Sequence, residues 1–538
     1  MFFFASDNAL APLLVSQLKA IKEAGFHQNA EVLVYFDPNE AGVVSHIFNV
    51  NAKRKQQATG NVGAQTMIGD GSDPYLCDLG EDDIAPGSID QTAGPYSRKT
   101  KKMLSRPDQV SSRHALENFL GFCRENHAAR HYLLFLVGHG MIVANDKFLP
   151  DDNPPSSISL RQLGEILSGF CEDARASGGE LEILTLNSCS MSSIEVAYQL
   201  RDTANLMLAS QGITFVGNWP YRQLLKEFFR MMNFASPNRA KANGALVKEL
   251  AERFYFLCLC NATDFVLSGE SFDLCLTQLG EDFFAKIREH LPRLVREMKA
   301  GLSAPNNQRI MELIQLAHLK SQSFYQEDYS DLLDFCKCLA EICNSSDSRQ
   351  RAIGRECSKV VEALSPDPAN RFAKLIVRAD HFGWKYQYAN GLSIYFPWVE
   401  PIGAQDAHLS KYRTYDFNGQ EFSTDSWATF LRVYFAKTKR LPEKNGGLLL
   451  LDNSETIRNL GSASTAANNL ALTVTNGALD KPTGAYDKPT GASGQDCGCP
   501  SIKNYPTTVG RFNGKRRRVR TFSVTKGLAE DRPHFLQE

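Results

Sequence analysis

The stretch LEILTLNSCSMSSIEVAYQL, residues 181–200, combines two patterns that meet at one cysteine. Its first part, LEILTLN, is rich in Leu and Ile and predicts a buried strand that ends at Asn187. Small polar residues then interrupt the apolar run, and SSIEVAYQL has the pattern of a helix. Cys189 lies at the junction, where it is either a buried structural thiol or a nucleophile.

Strand and helix patterns also alternate through the rest of the first 220 residues. The runs MFFFAS, AEVLVYFD, HYLLFLV and ANLMLASQ predict strands, and NALAPLLVSQLKAIKEAG, RHALENFLGFCRENH and SLRQLGEILSGFCEDAR predict helices. Such alternation predicts an α/β fold with a mostly parallel central sheet and helices on both faces.

The chain divides into three predicted parts. Residues 1–220 form the α/β core, in which the polar residues 51–110 are interpreted as a long exposed insertion. Residues 221–437 are predicted to be mainly helical, with a strand at residues 390–398 and a final helix. Residues 438–538 contain a direct repeat and few large apolar residues, and they are predicted to be disordered.

Composition and charge argue against several classes of function. The 538 residues carry a net charge of −1, which does not indicate a nucleic-acid partner, and no apolar run is long enough for a membrane helix. The N-terminal MFFFASDN lacks the basic region of a signal peptide and reads as the end of a strand, which suggests an abrupt start. Thirteen cysteines, an odd number spread along a long chain, predict reduced thiols in the cytoplasm.

Two predicted strands end in side chains that can act together in catalysis. One ends in GHG at residues 138–140 and the other in NSC at residues 187–189. Ligands bind at the carboxyl ends of strands in open α/β sheets, so neighbouring strands would bring His139 and Cys189 face to face. A facing imidazole can take the thiol proton and later deliver it to a leaving amine. The N–H groups of Gly140 and Cys189 are candidate donors to an oxyanion, and the N-terminus of the following helix would favour a thiolate.

Other interpretations of these residues stay open at this level. A lone cysteine on a buried element is commonly structural, and a histidine between glycines is commonly a turn residue. His131 and His139 would lie about 26 Å apart at the rise of an extended strand, too far to share a metal ion. No zinc, P-loop or Rossmann pattern is present, and CGCP at residues 497–500 lies in the tail, so no metal and no cofactor are predicted.

Several stretches over residues 1–437 carry a resemblance: FFFASDNAL, VLVYFDP, HYLLFLVGHG, NSCSMSSIEVAYQL, GNWPY, GLSIYFP and DSWATFL. In this order they resemble the clostripain-like cysteine peptidases, which are relatives of gingipains, legumains and caspases. The resemblance implies a caspase-like fold, with His139 as general acid/base, Cys189 as nucleophile, and the amides of Gly140 and Cys189 as the oxyanion hole. Family members often cut themselves in the loop after the histidine strand. Lys147 is the candidate site in that loop, and the alternative is an ordinary exposed lysine.

The same resemblance implies a set of substrate-binding residues: Asn187, Ser188, Ser210, Gln211, Asn218 and Trp219. Members that cut after Arg or Lys tend to carry an Asp two residues before the cysteine, where this chain has Asn187. The segment before the Trp often carries another acid, and here it has Gly217 and Asn218. An amide accepts a hydrogen bond but supplies no charge, so selection for a basic side chain should weaken. A neutral or polar residue before the scissile bond then becomes an alternative.

The sequence thus predicts a cytoplasmic cysteine endopeptidase that cleaves protein or peptide substrates through a thioester acyl-enzyme, with no nucleic-acid or membrane partner. An activator or partner protein encoded nearby would fit such an enzyme. The alternative from another class is a weakly active or inactive binding or scaffold protein on the same fold, with residues 221–380 and the tail as interaction surfaces. A cysteine hydrolase acting on a non-peptide acyl group would share the same chemistry.

Overall fold

The computed structural model describes residues 1–438 apart from residues 9, 38–45, 53–75, 78–109, 141–145, 153, 235–239, 263–265, 268, 306, 326, 344–345, 401–406 and 420. Most of the predicted insertion at residues 51–110, and the predicted tail beyond residue 438, lie outside the described residues. The predicted disorder of the tail therefore stays a prediction.

Strands of the described residues form one large sheet and two small ones. In chain order they are β1 (Phe2–Phe4), β2 (Leu33–Phe36), β3 (His46–Asn49), β4 (Leu76–Cys77), β5 (His131–Val137), β6 (Phe148–Asp152), β7 (Pro155–Ile158), β8 (Glu180–Asn187), β9 (Leu206–Ala209), β10 (Phe272–Gln278), β11 (Ser323–Phe324), β12 (Tyr329–Asp331), β13 (Ile376–Phe382) and β14 (Ser393–Tyr395). The large sheet has the order β13-β10-β9-β8-β5-β1-β2-β3-β4, while β11-β12-β14 and β6-β7 form the small sheets. Most neighbouring pairs of the large sheet are parallel, so the predicted mostly parallel sheet is confirmed.

Helices lie on both faces of the large sheet. In chain order they are α1 (Ala11–Glu23), α2 (Ser112–Asn126), α3 (Leu160–Ala176), α4 (Ile194–Gln199), α5 (Tyr221–Met232), α6 (Ala240–Asn261), α7 (Ala285–Ser303), α8 (Gln308–Lys320), α9 (Leu332–Ile342), α10 (Ser348–Leu364), α11 (Ala407–Tyr412) and α12 (Trp427–Lys437). One hydrophobic core contains side chains of α1, α5 and α6, and the other contains side chains of α2 to α4 and of α7 to α12. The α/β class and the mainly helical C-terminal region are confirmed.

The short first strand contributes to both cores. Successive side chains of a strand point to opposite faces, so Phe3 enters one core while Phe2 and Phe4 enter the other. Phe2 stacks on Phe135 of β5 with ring centroids 4.3 Å apart, a contact worth about 0.5–1.5 kcal/mol beyond the buried area. Because β1 pairs in parallel with both β2 and β5, these contacts hold the centre of the sheet together.

Residues beyond position 220 also complete the large sheet. Strand β10 pairs antiparallel with β9, and β13 pairs antiparallel with β10. Strand β14 lies within the strand predicted at residues 390–398 and pairs with β12. The predicted domain boundary at residue 220 stays a prediction, and the large sheet receives strands from both sides of it.

His318 of α8 is a buried residue whose ionisation affects stability. Its ring stacks between Phe396 and Trp398, at centroid distances of 4.1 and 3.9 Å, and burial lowers the pKa of His318 to about 3. The unfolded chain binds a proton on this residue at its ordinary pKa of 6.5, whereas the folded chain binds it only near pH 3. This residue therefore makes the protein less stable as the pH falls from about 6.5 towards 3.

We expect His318→Phe, which keeps an aromatic ring in the stack, to lessen the loss of stability between about pH 6.5 and pH 4. The free energy of unfolding in urea, measured for both proteins at several pH values, checks this. The difference between the two curves separates His318 from the acidic residues. Equal pH dependence of the two proteins would contradict a neutral buried imidazole.

Candidate active site

The ends of β5 and β8 lie side by side at one edge of the large sheet. The two strands pair in parallel, and their register places Val137 opposite Asn187. The N–H of Gly138 donates to the carbonyl of Asn187 at 3.3 Å, which continues the pairing beyond the strand. His139 follows Val137 by two residues and Cys189 follows Asn187 by two residues, so both leave the sheet at the same level.

Gly140 packs directly against the backbone of Cys189. A Cβ atom on Gly140 would lie 2.6 Å from both the amide nitrogen and the carbonyl carbon of Cys189, and it would overlap the carbonyl oxygen. Only a residue without a side chain permits such an approach of two backbones. The contact joins the segments that follow β5 and β8, and the two predicted oxyanion donors belong to these two residues.

Cys189 begins a turn that the neighbouring loop holds in place. Ser190 has a φ of 59°, in the left-handed region, which costs a residue with a Cβ atom about 1–2 kcal/mol. The N–H of Ser190 donates to the carbonyl of Gly212 at 3.0 Å, and the N–H of Ser192 donates to the carbonyl of Ser210 at 2.8 Å. These hydrogen bonds offset the cost of the left-handed conformation.

Several other cysteines have the properties of structural thiols. Cys123, Cys171 and Cys275 are at most 1% exposed, and burial raises the pKa of each thiol to about 12. These groups stay protonated and fill the core. Cys189 is 9% exposed, its thiol donates to the carbonyl of Thr214 at 3.6 Å, and it lies at the edge of the sheet.

The helix after Cys189 begins close to the residue at which the sequence predicts it. Helix α4 starts at Ile194, and Ser193 caps it by accepting a hydrogen bond from the N–H of Val196 at 3.2 Å. The pattern SSIEVAYQL predicts a helix from residue 192, and the cap at Ser193 agrees with that start, while Ser190 and Ser192 bond to the neighbouring loop ahead of a helix of six residues. Cys189 lies four residues before this N-cap, and the predicted effect of the helix dipole on its thiolate stays a prediction.

Polar side chains of the predicted substrate-binding set are buried and uncharged. Asn187 is 3% exposed, and its Nδ2 donates to the hydroxyl of Tyr221, whose pKa is raised by burial. Within the described part of the chain, the Oγ of Ser188 and both amide atoms of Asn218 are buried without a hydrogen-bond partner. A buried polar atom without a partner costs about 1–3 kcal/mol, and contact of these side chains with a substrate stays a prediction.

Trp219 and Cys189 contact the same residue of the loop at residues 210–214. Nε1 of Trp219 donates to Oγ1 of Thr214 at 3.3 Å, and the thiol of Cys189 donates to the carbonyl of Thr214. Trp219 is 1% exposed, so its indole ring belongs to the core and supports this loop. Contact of Trp219 with a substrate stays a prediction.

The side chains of Ser210 and Gln211 are bound by buried carboxylates. Oγ of Ser210 donates to Oδ1 of Asp273 at 2.9 Å, and Nε2 of Gln211 donates to Oδ2 of Asp331 at 3.0 Å. Both side chains are buried and bonded inside the protein, and their contact with substrate stays a prediction. The carboxylates were not predicted, although Asp273 interrupts the apolar run FDLCL, a pattern that indicates a buried polar group.

Lys147 is exposed and directly precedes β6. The N–H of Leu149 donates to the carbonyl of His139 at 3.3 Å, which ties β6 to the end of β5. Oδ1 of Asp146 accepts a hydrogen bond from the N–H of Leu160 at 2.7 Å. An exposed lysine therefore lies between two anchored residues, on a segment that returns to the histidine.

Among the residues that the structure describes, no group of three or more His, Cys, Asp or Glu side chains is arranged to hold a metal ion. None of the described helices is both long and apolar enough to cross a membrane. The absence of a metal and of a cofactor stays a prediction.

Comparisons with known proteins give a family match and several similar solved structures. Residues 3–431 match the sequence model of the clostripain family. An inactive zymogen C11 protease from Parabacteroides distasonis has 17% identity and a TM-score of 0.42, with 79% of this chain and 96% of that chain covered. A secreted C11 cysteine protease from Bacteroides thetaiotaomicron, in complex with an irreversible peptide inhibitor, has 13% identity and a TM-score of 0.44, with 79% and 98% covered. A comparison with curated proteins found no match.

The family assignment rests on the sequence match, since the identities and TM-scores of the two structures are low. The match confirms the resemblance carried by the strand-end motifs. Because it extends over residues 3–431 of a chain of 538 residues, the chain belongs to the clostripain family and is a cysteine peptidase.

Proposed function

We propose that this peptidase is an endopeptidase that cleaves protein substrates with Cys189 as the nucleophile and His139 as the general acid and base. The observation that carries the proposal is the parallel pairing of β5 with β8, which ends both strands at one edge and places Gly140 against the Cys189 backbone. A cysteine peptidase needs a thiol and a proton acceptor within reach of one carbonyl group. The carboxyl ends of parallel strands are where α/β proteins bind ligands.

In the proposed reaction, the Cys189 thiol gives its proton to His139, and the sulfur attacks the carbonyl carbon of the scissile peptide bond. The oxyanion that forms accepts hydrogen bonds from the N–H groups of Gly140 and Cys189. His139 then gives the proton to the leaving amine, and a thioester acyl-enzyme remains. Water, deprotonated by His139, attacks the thioester, releases the second product and restores the thiol.

The proposed specificity follows from uncharged residues at the positions that the family resemblance assigns to substrate binding. Asn187 is bonded to the Tyr221 hydroxyl, and the amide of Asn218 and the hydroxyl of Ser188 have no partner among the described residues. These groups offer hydrogen bonds without a negative charge. We therefore propose a neutral polar side chain before the scissile bond in preference to Arg or Lys.

Self-cleavage after Lys147 is part of the proposal. The exposure of Lys147 and the hydrogen bond from Leu149 to the carbonyl of His139 support it, because they place an exposed lysine on a segment tied to the catalytic strand. A lysine that binds the proposed uncharged pocket only weakly can still direct a cut within one molecule, since proximity adds to that weak binding.

The proposed location is the cytoplasm, and the proposed partners are protein or peptide substrates and an activator encoded nearby. The ten described cysteines with free thiols support a reducing location. Neither a nucleic acid nor a membrane is a partner in this proposal.

The central test replaces the two catalytic residues. Cys189→Ala should abolish cleavage of a peptide library, and His139→Ala should lower kcat/KM by about 100- to 10,000-fold, the usual contribution of a general acid or base. Mass spectrometry of the peptide products measures both effects. Cys260→Ala is the matched control, because it removes an exposed thiol of α6 and should leave kcat/KM unchanged. Full activity of Cys189→Ala would overturn the proposal, and a wild-type chain that cleaves nothing would favour a scaffold.

Asn187→Asp should raise kcat/KM for substrates with Arg before the scissile bond by about tenfold, because hydrogen bonds to charged groups are worth about 1.5–3 kcal/mol and neutral ones about 1 kcal/mol. The Tyr221 hydroxyl can donate to the new carboxylate, so the fold should be kept. Matched peptides that differ only in Arg or Gln at that position give the ratio. Asn187→Ala, which adds no charge, should not favour Arg. If the ratio of kcat/KM for the Arg and Gln peptides is unchanged in Asn187→Asp, residue 187 does not determine specificity.

Purified wild-type protein should split into fragments of residues 1–147 and 148–538, whereas Cys189→Ala and Lys147→Ala should stay intact. Intact-mass measurement over time follows the cut. Lys147→Arg is the control that keeps a basic residue and should keep the cut. A wild-type chain that stays in one piece, or a cut that persists in Lys147→Ala, would show that Lys147 is an ordinary exposed lysine.

A further inference from the structure

We propose that Asp273 is a positioning residue that holds the Cys189 turn in its reactive conformation, an inference that rests on the proposed role of Cys189 as nucleophile. Asp273 lies on β10 and is 1% exposed. It acts through the loop at residues 210–214, whose first residue directly follows β9, the neighbouring strand.

The carboxylate of Asp273 accepts hydrogen bonds from consecutive residues of this loop. Its Oδ1 accepts from the Oγ of Ser210 at 2.9 Å and from the N–H of Gly212 at 2.8 Å. Its Oδ2 accepts from the N–H of Gln211 at 2.6 Å. Two carboxylate oxygens therefore hold three donors of one short segment, which determines where the carbonyl groups of that segment point.

Those carbonyl groups in turn hold the residues that follow the nucleophile. The carbonyl of Gly212 accepts from the N–H of Ser190 at 3.0 Å, and the carbonyl of Ser210 accepts from the N–H of Ser192 at 2.8 Å. The Cys189 thiol donates to the carbonyl two residues beyond Gly212, at 3.6 Å. A shift of the loop would therefore shift the sulfur that attacks the substrate.

A second buried carboxylate connects the same loop to a third segment. Oδ2 of Asp331 accepts from Nε2 of Gln211 at 3.0 Å and from the N–H of Asn390 at 2.6 Å. Oε1 of Gln211 accepts from the N–H of Gly391 at 2.9 Å, and the carbonyl of Gly391 accepts from the Oγ of Ser192 at 2.6 Å. The turn after Cys189 is therefore held from two directions, and Gln211 connects them.

Burying a carboxylate at position 273 costs free energy of folding. Burial raises the pKa of Asp273 to about 6 in spite of the hydrogen bonds that it accepts. An apolar strand residue would avoid this cost, but it would leave the donors of Ser210, Gln211 and Gly212 without an acceptor. The carboxylate is therefore explained by the loop position that it secures.

Asp273→Asn is the main test, because it keeps the size of the side chain and turns one acceptor into an NH₂ donor that faces a donor of the loop. We expect kcat to fall on the order of 100-fold, the cost of misplacing a reactive group by about 1 Å, with KM within about threefold of the wild-type value. Ser210→Ala removes one donor and keeps the carboxylate, so it should lower kcat by about three- to tenfold.

The matched control is Thr277→Val on the same strand, whose buried hydroxyl lies 3.2 Å from the Sγ of Cys275. It should lower the unfolding midpoint and leave kcat unchanged, which separates positioning from loss of stability. All variants are assayed as the full chain with the peptide that wild type cleaves best, and circular dichroism reports whether each is folded.

A folded Asp273→Asn with kcat within about twofold of wild type would overturn the inference, as would an equal loss of kcat in Thr277→Val. If Asp273→Asn does not fold, Ser210→Ala decides: a lowered kcat at unchanged KM supports the inference, and an unchanged kcat overturns it. Cys189→Ala in the same assay distinguishes the two proposals. If Cys189→Ala keeps its activity, both the proposed function and this inference are wrong. If Cys189→Ala loses its activity while Asp273→Asn keeps it, only this inference is wrong.

Discussion

The parallel pairing of β5 with β8 is the constraint on which the candidate site depends. With Val137 opposite Asn187, both strands end at the same level of the sheet. His139 and Cys189 each follow two residues after the end of their strand. A register shift of one residue would turn every side chain of a strand to the opposite face, away from its core. The apolar contacts that fix the register therefore also fix the relation between the histidine and the cysteine.

Close packing of backbones at this edge determines the residue types nearby. Gly140 has no room for a Cβ atom because it lies against Cys189, and Ser190 is left-handed where its N–H meets a loop carbonyl. A conformation of this kind persists only where the surrounding structure determines it, and it is commonly found at functional sites. Five of the seven residues of the stretch NSCSMSS are Ser or Cys, whose small side chains leave space for backbone contacts on several sides.

Buried polar groups connect the second half of the chain to the first. Asp273 on β10 and Asp331 before α9 come from residues predicted as mainly helical, yet both bind residues of the loop after β9. Burial raises the pKa of Asp331 to about 7, so its ionised form is costly near neutral pH. Residues 221–437, which the sequence predicts as a separate and mainly helical part, thus contribute to the geometry at the strand ends of residues 1–220.

Local patterns in the sequence were sufficient for the α/β class, for the strands that end near His139 and Cys189, and for the clostripain resemblance, because strand periodicity and strand-end motifs involve adjacent residues. They did not indicate the inward-facing roles of Ser210 and Gln211 or the carboxylate of Asp273. These depend on hydrogen bonds between residues more than 60 positions apart. Such bonds leave no periodic pattern in a sequence, so only the tertiary structure decided which polar residues hold the nucleophile's turn in place.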